Sequence, residues 1–137
     1  MFKREITVAA AVENLEAVTA FVDQCLEEVG CSLRSQMQID VAVDELFSNI
    51  AYYAYPPGSG EVTLRVEIDG EPPCASLTFI DSGVPYDPLS REDPDTTLSA
   101  EERKIGGLGI YMVKKSMDEI SYAYEDGKNV LRIKKKL

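Results

Sequence analysis

The chain has 137 residues, of which 45% are hydrophobic and 28% are charged, a composition typical of a soluble globular protein with one domain, predicted to span residues 1–137. The formal net charge of −10 disfavours nucleic acid and anionic membranes as partners, because both bind concentrated basic surfaces. The sequence contains no histidine, so any proton transfer must fall to a carboxylate.

The three cysteines indicate neither a disulfide framework nor a zinc site, because no pair has C-x-x-C spacing. The N-terminus leads into a strand pattern rather than a signal sequence, and the apolar runs are far shorter than the roughly 18 residues that span a bilayer. We therefore predict a cytoplasmic protein.

The N-terminal part predicts a strand followed by a helix. Residues Lys3 to Val8 alternate enough to form an edge strand. Apolar residues then recur at helical spacing from Leu15 to Val29, and Gly30 is a natural residue to end that helix.

A second helix is predicted from Ser35 to the residue before Pro56, because Ser35 to Gln38 has the form of a capping box. Glu45 and Asn49 lie one turn apart on the edge of its apolar stripe rather than on the solvated face. Taken alone, Glu45 is typical of a boundary residue whose head reaches water. The alternative is that the pair binds something, because half-burying both polar groups is otherwise unfavourable.

Two strands are predicted next, at 62–68 and 75–81. Asp81 continues the inward-facing row at the end of the second strand, and Gly83 follows it in an Asp-x-Gly turn. In isolation this pattern is typical of a simple turn after a strand.

The stretch from Ser82 to Ile105 is irregular, and about 24 residues without periodicity indicate a functional lid or a disordered segment. A glycine cluster then opens a third helix. A final hairpin is predicted around Asp126-Gly127, and its last strand, with basic residues on alternate positions, is interpreted as a solvated edge strand. Helices gathered on one face of a mostly antiparallel sheet predict an α+β, two-layer sandwich.

Three stretches in order resemble the N, G1 and G2 boxes of the GHKL (Bergerat-fold) ATPases. They are Asp40 to Tyr55, Phe79 to Pro88 with its Asp-x-Gly turn, and Gly106 to Val113 with its glycine cluster. Within that superfamily the chain is most similar to the small anti-sigma-factor serine kinases, and the resemblance covers nearly the whole chain. It implies the Bergerat fold, a histidine-kinase-like ATPase domain, and the use of ATP with Mg²⁺.

The resemblance also implies roles for individual residues. Glu45 is the expected catalytic base, Asn49 the Mg²⁺ ligand, and Asp81 the acceptor for the adenine amine, with Gly83 letting the backbone pass close to the base. The phosphates are expected at a helix start formed by Gly106, Gly107, Leu108 and Gly109, with Lys104 or Arg103 as the nearby cation.

Three further positions qualify this assignment. Asn129 matches a small polar residue of the family that hydrogen-bonds near the base, and Asp87 is expected to shape the lid hinge. Tyr53 stands where the family often has a histidine, so the role of that histidine is lost or replaced.

The resemblance leaves two functions open. The first is a serine/threonine kinase that phosphorylates a small antagonist (anti-anti-sigma-like) protein and restrains a sigma factor. The second is a non-catalytic module in which ATP gates partner binding. The catalytic domain of a two-component histidine kinase is disfavoured because the chain has no histidine to phosphorylate. The resemblance does not fix whether the protein is a homodimer.

Overall fold

The computed structural model describes residues 2–90 and 107–137. Within them, helices pack against one face of a five-stranded sheet. The strands are β1 (Phe2–Ala9), β2 (Glu61–Asp69), β3 (Cys74–Asp81), β4 (Glu119–Glu125) and β5 (Lys128–Lys136), and the helices are α1 (Leu15–Glu28), α2 (Leu33–Tyr53) and α3 (Gly107–Ser116). Short 3-10 turns precede α1 at Val12–Asn14 and follow β3 at Pro88–Ser90.

The sheet has the strand order β1-β2-β3-β5-β4, and every neighbouring pair is antiparallel. The prediction that the first strand lies at an edge is confirmed. The predicted final hairpin is also confirmed, since Asp126 and Gly127 form its turn with φ of 53° and 76°.

The interpretation of the last strand as an edge strand is wrong. β5 pairs with β3 on one side and with β4 on the other, and β4 forms the edge. The basic residues Arg132 and Lys134 alternate with the buried Leu131 and Ile133. Their alternation therefore marks the sheet face away from the core, not an open strand edge.

The core lies between the sheet and the helices, which confirms the predicted α+β two-layer architecture. The sheet contributes the alternating buried residues of β2 and β3, and α2 contributes its predicted apolar stripe. The side chains of Phe47, Phe79, Leu26, Ile39 and Leu46 are among the largest that are fully buried. In the described part of the chain, no helix is both long and apolar enough to cross a membrane.

Helix α2 begins earlier than the sequence predicted. Ser32 is extended, with φ −64° and ψ 149°, and its hydroxyl accepts a hydrogen bond from the Ser35 N–H at 3.2 Å. The capping-box interpretation of Ser35 is therefore wrong, because Ser35 lies buried in the first turn and Ser32 is the N-cap. The end of α1 is as predicted, since Gly30 has the positive φ of 72° typical of a residue just after a helix.

Two carboxyl groups meet between α1 and α2. The Oδ1 atoms of Asp23 and Asp40 are both buried and have no hydrogen-bond partner among the described residues. Burial, first, and the neighbouring carboxyl groups of Asp23 and Glu27 raise the pKa of Asp40 to about 7. The folded protein therefore holds a proton here that the unfolded chain releases near pH 4.

Because the folded-state pKa is raised, stability should fall as the pH rises from about 4 to about 7. We expect Asp40→Asn to remove this fall and to stabilise the protein above neutral pH by about 1 kcal/mol, after allowance for solvent screening of a half-exposed pair. Thermal melts from about pH 4 to pH 8 measure this as a midpoint raised by roughly 3–5 °C at the alkaline end. An equal destabilisation at every pH would contradict it.

Candidate functional site

A pocket opens between α2 and the end of β3. Its polar side chains are Asn49, Asp81 and Asn129, one each from α2, β3 and β5. The rest of the lining is mostly apolar or aromatic: Leu46, Ile50, Ala54, Val84, Tyr86, Pro88, Tyr122 and Leu131. A concave apolar pocket with a few converging polar groups is the usual form of a small-molecule site.

Hydrogen bonds to one carboxylate oxygen hold Asp81 in a single orientation and leave its other oxygen available. Its side chain belongs to a residue only 5% exposed, and Oδ1 accepts hydrogen bonds from the Gly83 N–H and the Asn129 side-chain amide, each at 2.9 Å. Its Oδ2 makes no hydrogen bond with a described residue. A buried carboxylate fixed in this way offers a strong acceptor to a ligand that carries an N–H donor.

Both polar atoms of the Asn129 side chain form hydrogen bonds within the protein. Its amide nitrogen also donates to the Val84 carbonyl at 2.9 Å, and its oxygen accepts from the Tyr86 N–H at 3.1 Å and from the Tyr122 hydroxyl. The family resemblance predicts that Asn129 forms a hydrogen bond near the adenine base. In this structure it orients Asp81 and fixes the chain that follows β3.

The turn after Asp81 packs tightly on the end of α2. The Val84 N–H donates to the Ala54 carbonyl at 2.8 Å, and a Cβ added to Gly83 would lie under 3.0 Å from Ala54 backbone atoms. The Tyr55 hydroxyl accepts from the Ser82 N–H at 2.7 Å and donates to the Glu61 carbonyl at 2.6 Å. Gly83 is therefore needed here for a close backbone approach.

Glu45 and Asn49 form the second polar group of the site. The Asn49 amide nitrogen donates to Glu45 Oε1 at 3.3 Å, which leaves the Asn49 oxygen without a hydrogen bond to the described residues. Burial raises the pKa of Glu45, the hydrogen bond from Asn49 lowers it, and the charge of Asp44 raises it; the net shift is upward. A carboxylate with a raised pKa is a better proton acceptor than one in water.

Helix α3 begins directly against Glu45. A Cβ added to Gly109 would lie under 3.0 Å from the carboxylate atoms of Glu45. Gly107 and Leu108 open the same helix, and its first N–H groups lack intrahelical partners by geometry. Gly106, Lys104 and Arg103 lie outside the described residues, as does 91–105 of the predicted lid.

The described start of the predicted lid is well bonded. The Leu89 N–H donates to Asp87 Oδ1 at 2.8 Å, where the 3-10 turn begins. The Tyr53 ring packs on Tyr86 with centroids 5.7 Å apart and an interplanar angle of 32°. Tyr53 thus stands against the wall of the pocket, although 47% of it is exposed.

Sequence reasoning missed Tyr86, Tyr122 and Leu131 as parts of the pocket. Tyr122 and Leu131 face each other across β4 and β5, in the row that points toward the helices. The inward alternation of the last hairpin was a usable signal for both. Tyr86 follows the turn after β3, in a stretch without periodicity, so no pattern indicated where it points.

Comparison with known proteins supports the resemblance. The histidine kinase-like ATPase domain family matches residues 8–135. The serine/threonine-protein kinase BtrW of Bordetella bronchiseptica is 28% identical over 102 residues, which cover 74% of this chain and 71% of BtrW. The serine-protein kinase RsbW of Bacillus cereus is 24% identical over 136 residues, which cover 96% of this chain and 84% of RsbW.

Among solved structures, the crystal structure of the RsbU and RsbW domains of Rv1364c from Mycobacterium tuberculosis matches with a TM-score of 0.72 and 17% identity. The match covers 100% of this chain and 33% of that one, so the chain spans about a third of that protein's length. At this identity the likeness shows the fold alone. The chain belongs to the histidine kinase-like ATPase domain (GHKL) family. Within it, the chain falls in the group of anti-sigma-factor kinase-like proteins, which its three motifs resemble.

Proposed function

We propose that the protein is an ATP-dependent serine/threonine protein kinase. The observation that carries this proposal is the half-buried pair of Glu45 and Asn49, which adjoins the start of α3 while Asn49 lines the same pocket as Asp81. These three side chains would supply a base, a neutral oxygen ligand for Mg²⁺ and a carboxylate that binds the nucleotide base, all of which serve phosphoryl transfer.

Adenine would enter the apolar pocket with its exocyclic amine on Asp81. Oδ2 is the acceptor that the Gly83 and Asn129 hydrogen bonds leave available. Guanine presents a carbonyl oxygen where adenine presents the amine, so a carboxylate at this point would repel it. The pocket is therefore expected to prefer ATP to GTP.

The donor set near α2 also fits Mg²⁺, which binds hard oxygen ligands and keeps water and phosphate oxygens in its shell. Asn49 would hold the ion through its side-chain oxygen, because its nitrogen is bonded to Glu45. When bound, the ion neutralises charge on the phosphates. The N–H groups at the start of α3 would bind phosphate oxygens, and we propose that Gly106 and Lys104 or Arg103 complete that contact.

In the transfer step, Glu45 would take the proton from a serine or threonine hydroxyl of the protein substrate. The hydroxyl oxygen then forms a bond to the γ-phosphorus while the bond from that phosphorus to the β-phosphate oxygen breaks, which gives phosphoprotein and ADP. Burial prepares Glu45 for this by raising its pKa.

The relatives named serine-protein kinase support a protein substrate. From the resemblance we propose a small antagonist protein as that substrate and a sigma factor as the regulated client, with the reaction in the cytoplasm. Incubation with candidate antagonists, Mg²⁺ and γ-labelled ATP tests this proposal. Label on serine or threonine of the antagonist is the expected result, and an unlabelled antagonist with a nucleotide-bound protein would favour the alternative below.

Replacing Asp81 by Asn should weaken ATP binding by roughly ten- to a hundredfold, equivalent to about 1.5–3 kcal/mol, because the amine loses a charged acceptor in a buried site. Calorimetry measures the affinity, and Asp69→Asn, at the exposed end of β2, is the matched control. Unchanged affinity in Asp81→Asn would remove the role given to this carboxylate.

One observation favours an alternative, an ATP-gated binding module without catalysis. Tyr53 stands where the family that the chain resembles often has a histidine, and the Tyr53 ring packs on Tyr86 beside the pocket. In that case nucleotide occupancy alone would change partner affinity. The variant that separates the two functions is Glu45→Gln.

A further inference from the structure

The outer face of α2 carries an apolar stripe that the fold does not use. Leu33, Met37 and Val41 follow one another at intervals of four residues and are 72%, 60% and 58% exposed. Each step of four advances about 40° around the helix, so the three side chains form one continuous row. The core-facing residues of α2 lie on its opposite side. Single exposed apolar residues are ordinary, but an aligned row of three indicates a contact surface.

The edge of this stripe toward α1 is acidic. Asp40 and Asp44 border it on α2, while Asp23 and Glu27 lie on the neighbouring helix α1. The buried Oδ1 atoms of Asp23 and Asp40 have no partner in the described ranges 2–90 and 107–137. Arg34 lies about 100° around the helix from Leu33, on the side away from Asp40. Once Asp40 loses its proton, at about pH 7 and above, the α1 side of the stripe therefore presents negative charge to a partner.

We propose that this surface, defined by Leu33, Met37 and Val41 with its Asp40 and Asp44 edge, docks an amphipathic helix of a partner protein with lysine or arginine along one flank. Apolar residues of that helix at i and i+4 spacing would cover the stripe, as in other helix-in-groove complexes. Its basic flank would lie over the acidic edge.

Charge selects this occupant over a second copy of the chain. Two copies paired through this stripe with their α2 helices antiparallel would bring their acidic edges together, and each copy as a whole carries a net charge of −10. Like charges brought together at an interface are unfavourable, whereas a basic flank meets complementary charge. The surface also differs from the nucleotide pocket, since none of its three apolar residues lines that pocket.

The acidic edge gives docking a pH dependence that purely apolar contact would lack. The groups that face Asp40 are Asp23 and Glu27 from α1 and Cys31 from the link between the helices. Free, Asp40 holds its proton up to about pH 7; beside a bound cation it would lose that proton at lower pH. Affinity for a basic helix should therefore rise between about pH 6 and about pH 8.

Designed peptides of about 20 residues test the proposal directly. The first has leucines at helical spacing and lysine flanks, the second replaces the lysines by glutamates, and the third keeps the lysines but replaces the leucines by alanines. Fluorescence anisotropy at physiological salt should show binding of the leucine–lysine peptide and at least about tenfold weaker binding of the other two.

The protein variants carry the matched controls. The double variant Met37→Ser, Val41→Ser should bind the leucine–lysine peptide at least about tenfold more weakly. Val12→Ser, which changes an exposed valine outside α2, should not weaken this binding. Asp40→Asn should flatten the pH dependence. ATP affinity, measured on the same variants, should stay unchanged. The proposal for this surface and the proposal for the nucleotide site are therefore tested independently.

Three results would overturn the proposal. One is equal binding of the leucine–lysine peptide to the double serine variant and to the unmodified protein. Another is equal binding of the alanine–lysine peptide, which would reduce the interaction to net charge. The third is sedimentation showing a dimer that the double serine variant abolishes, which would assign the stripe to a second copy.

Discussion

Replacing Glu45 by glutamine is expected to lower phosphoryl transfer by roughly 10²–10⁴-fold while ATP binding survives. Glutamine keeps the length of the side chain beside Asn49 and Gly109, but it cannot take a proton from the attacking hydroxyl. The affinity should survive because neither the apolar pocket nor Asp81 is changed. Single-turnover transfer and calorimetry on the same preparation measure both quantities.

The control is Glu16→Gln, which makes the same chemical change at an exposed position in the first turn of α1. It should leave transfer within about twofold of the unmodified protein, because Glu16 belongs neither to the pocket nor to the docking surface. Partner regulation should be measured on Glu45→Gln as well. Regulation that persists unchanged without transfer would retire the kinase in favour of the ATP-gated module.

Replacing Gly109 by alanine is expected to lower transfer by at least about 10²-fold, because small displacements of a catalytic group have effects of this size. The new methyl group would occupy space that the Glu45 carboxylate now fills. The carboxylate is the far end of a flexible side chain, so it can move away and the protein should still fold. The measurable consequence is lost activity with little change in thermal stability.

A double variant shows whether Gly109 acts through Glu45. If it does, Gly109→Ala in the Glu45→Gln background should cause no further loss of transfer, since residues that work as a unit are not additive. Fully multiplied losses in the double variant would mean that alanine damages phosphate binding at the start of α3 instead. ATP affinity in the single variant distinguishes the same two cases.

The fold could be predicted where the sequence has a clear period. The alternation in β2 and the 3.6-residue spacing in α2 each place a row of side chains on the core, and Asp81 continues such a row into the pocket. The start of α2 was mistaken because Ser32 and Ser35 are both acceptable N-caps by residue type. Only the backbone conformation of Ser32 decides between them.

The local sequence pattern also does not predict which strands and side chains far apart in the chain pair with each other. Alternating basic residues in β5 describe a solvated face equally well for an edge strand and for an interior one. Similarly, no short-range pattern joins Asn129 to Asp81, 48 residues earlier, although their bond fixes the pocket. Such contacts depend on strand order, which the sequence restricts but does not specify.

We propose that Asp81 and Asn49 make this pocket an adenine-nucleotide site that uses Mg²⁺. Calorimetric titration of the unmodified protein with ATP and GTP, each with Mg²⁺ and with chelator, tests it most directly. We expect that Mg²⁺-ATP binds, that GTP binds at least about tenfold more weakly, and that chelator weakens the binding of ATP. No ATP binding, or equal binding of ATP and GTP, would contradict it.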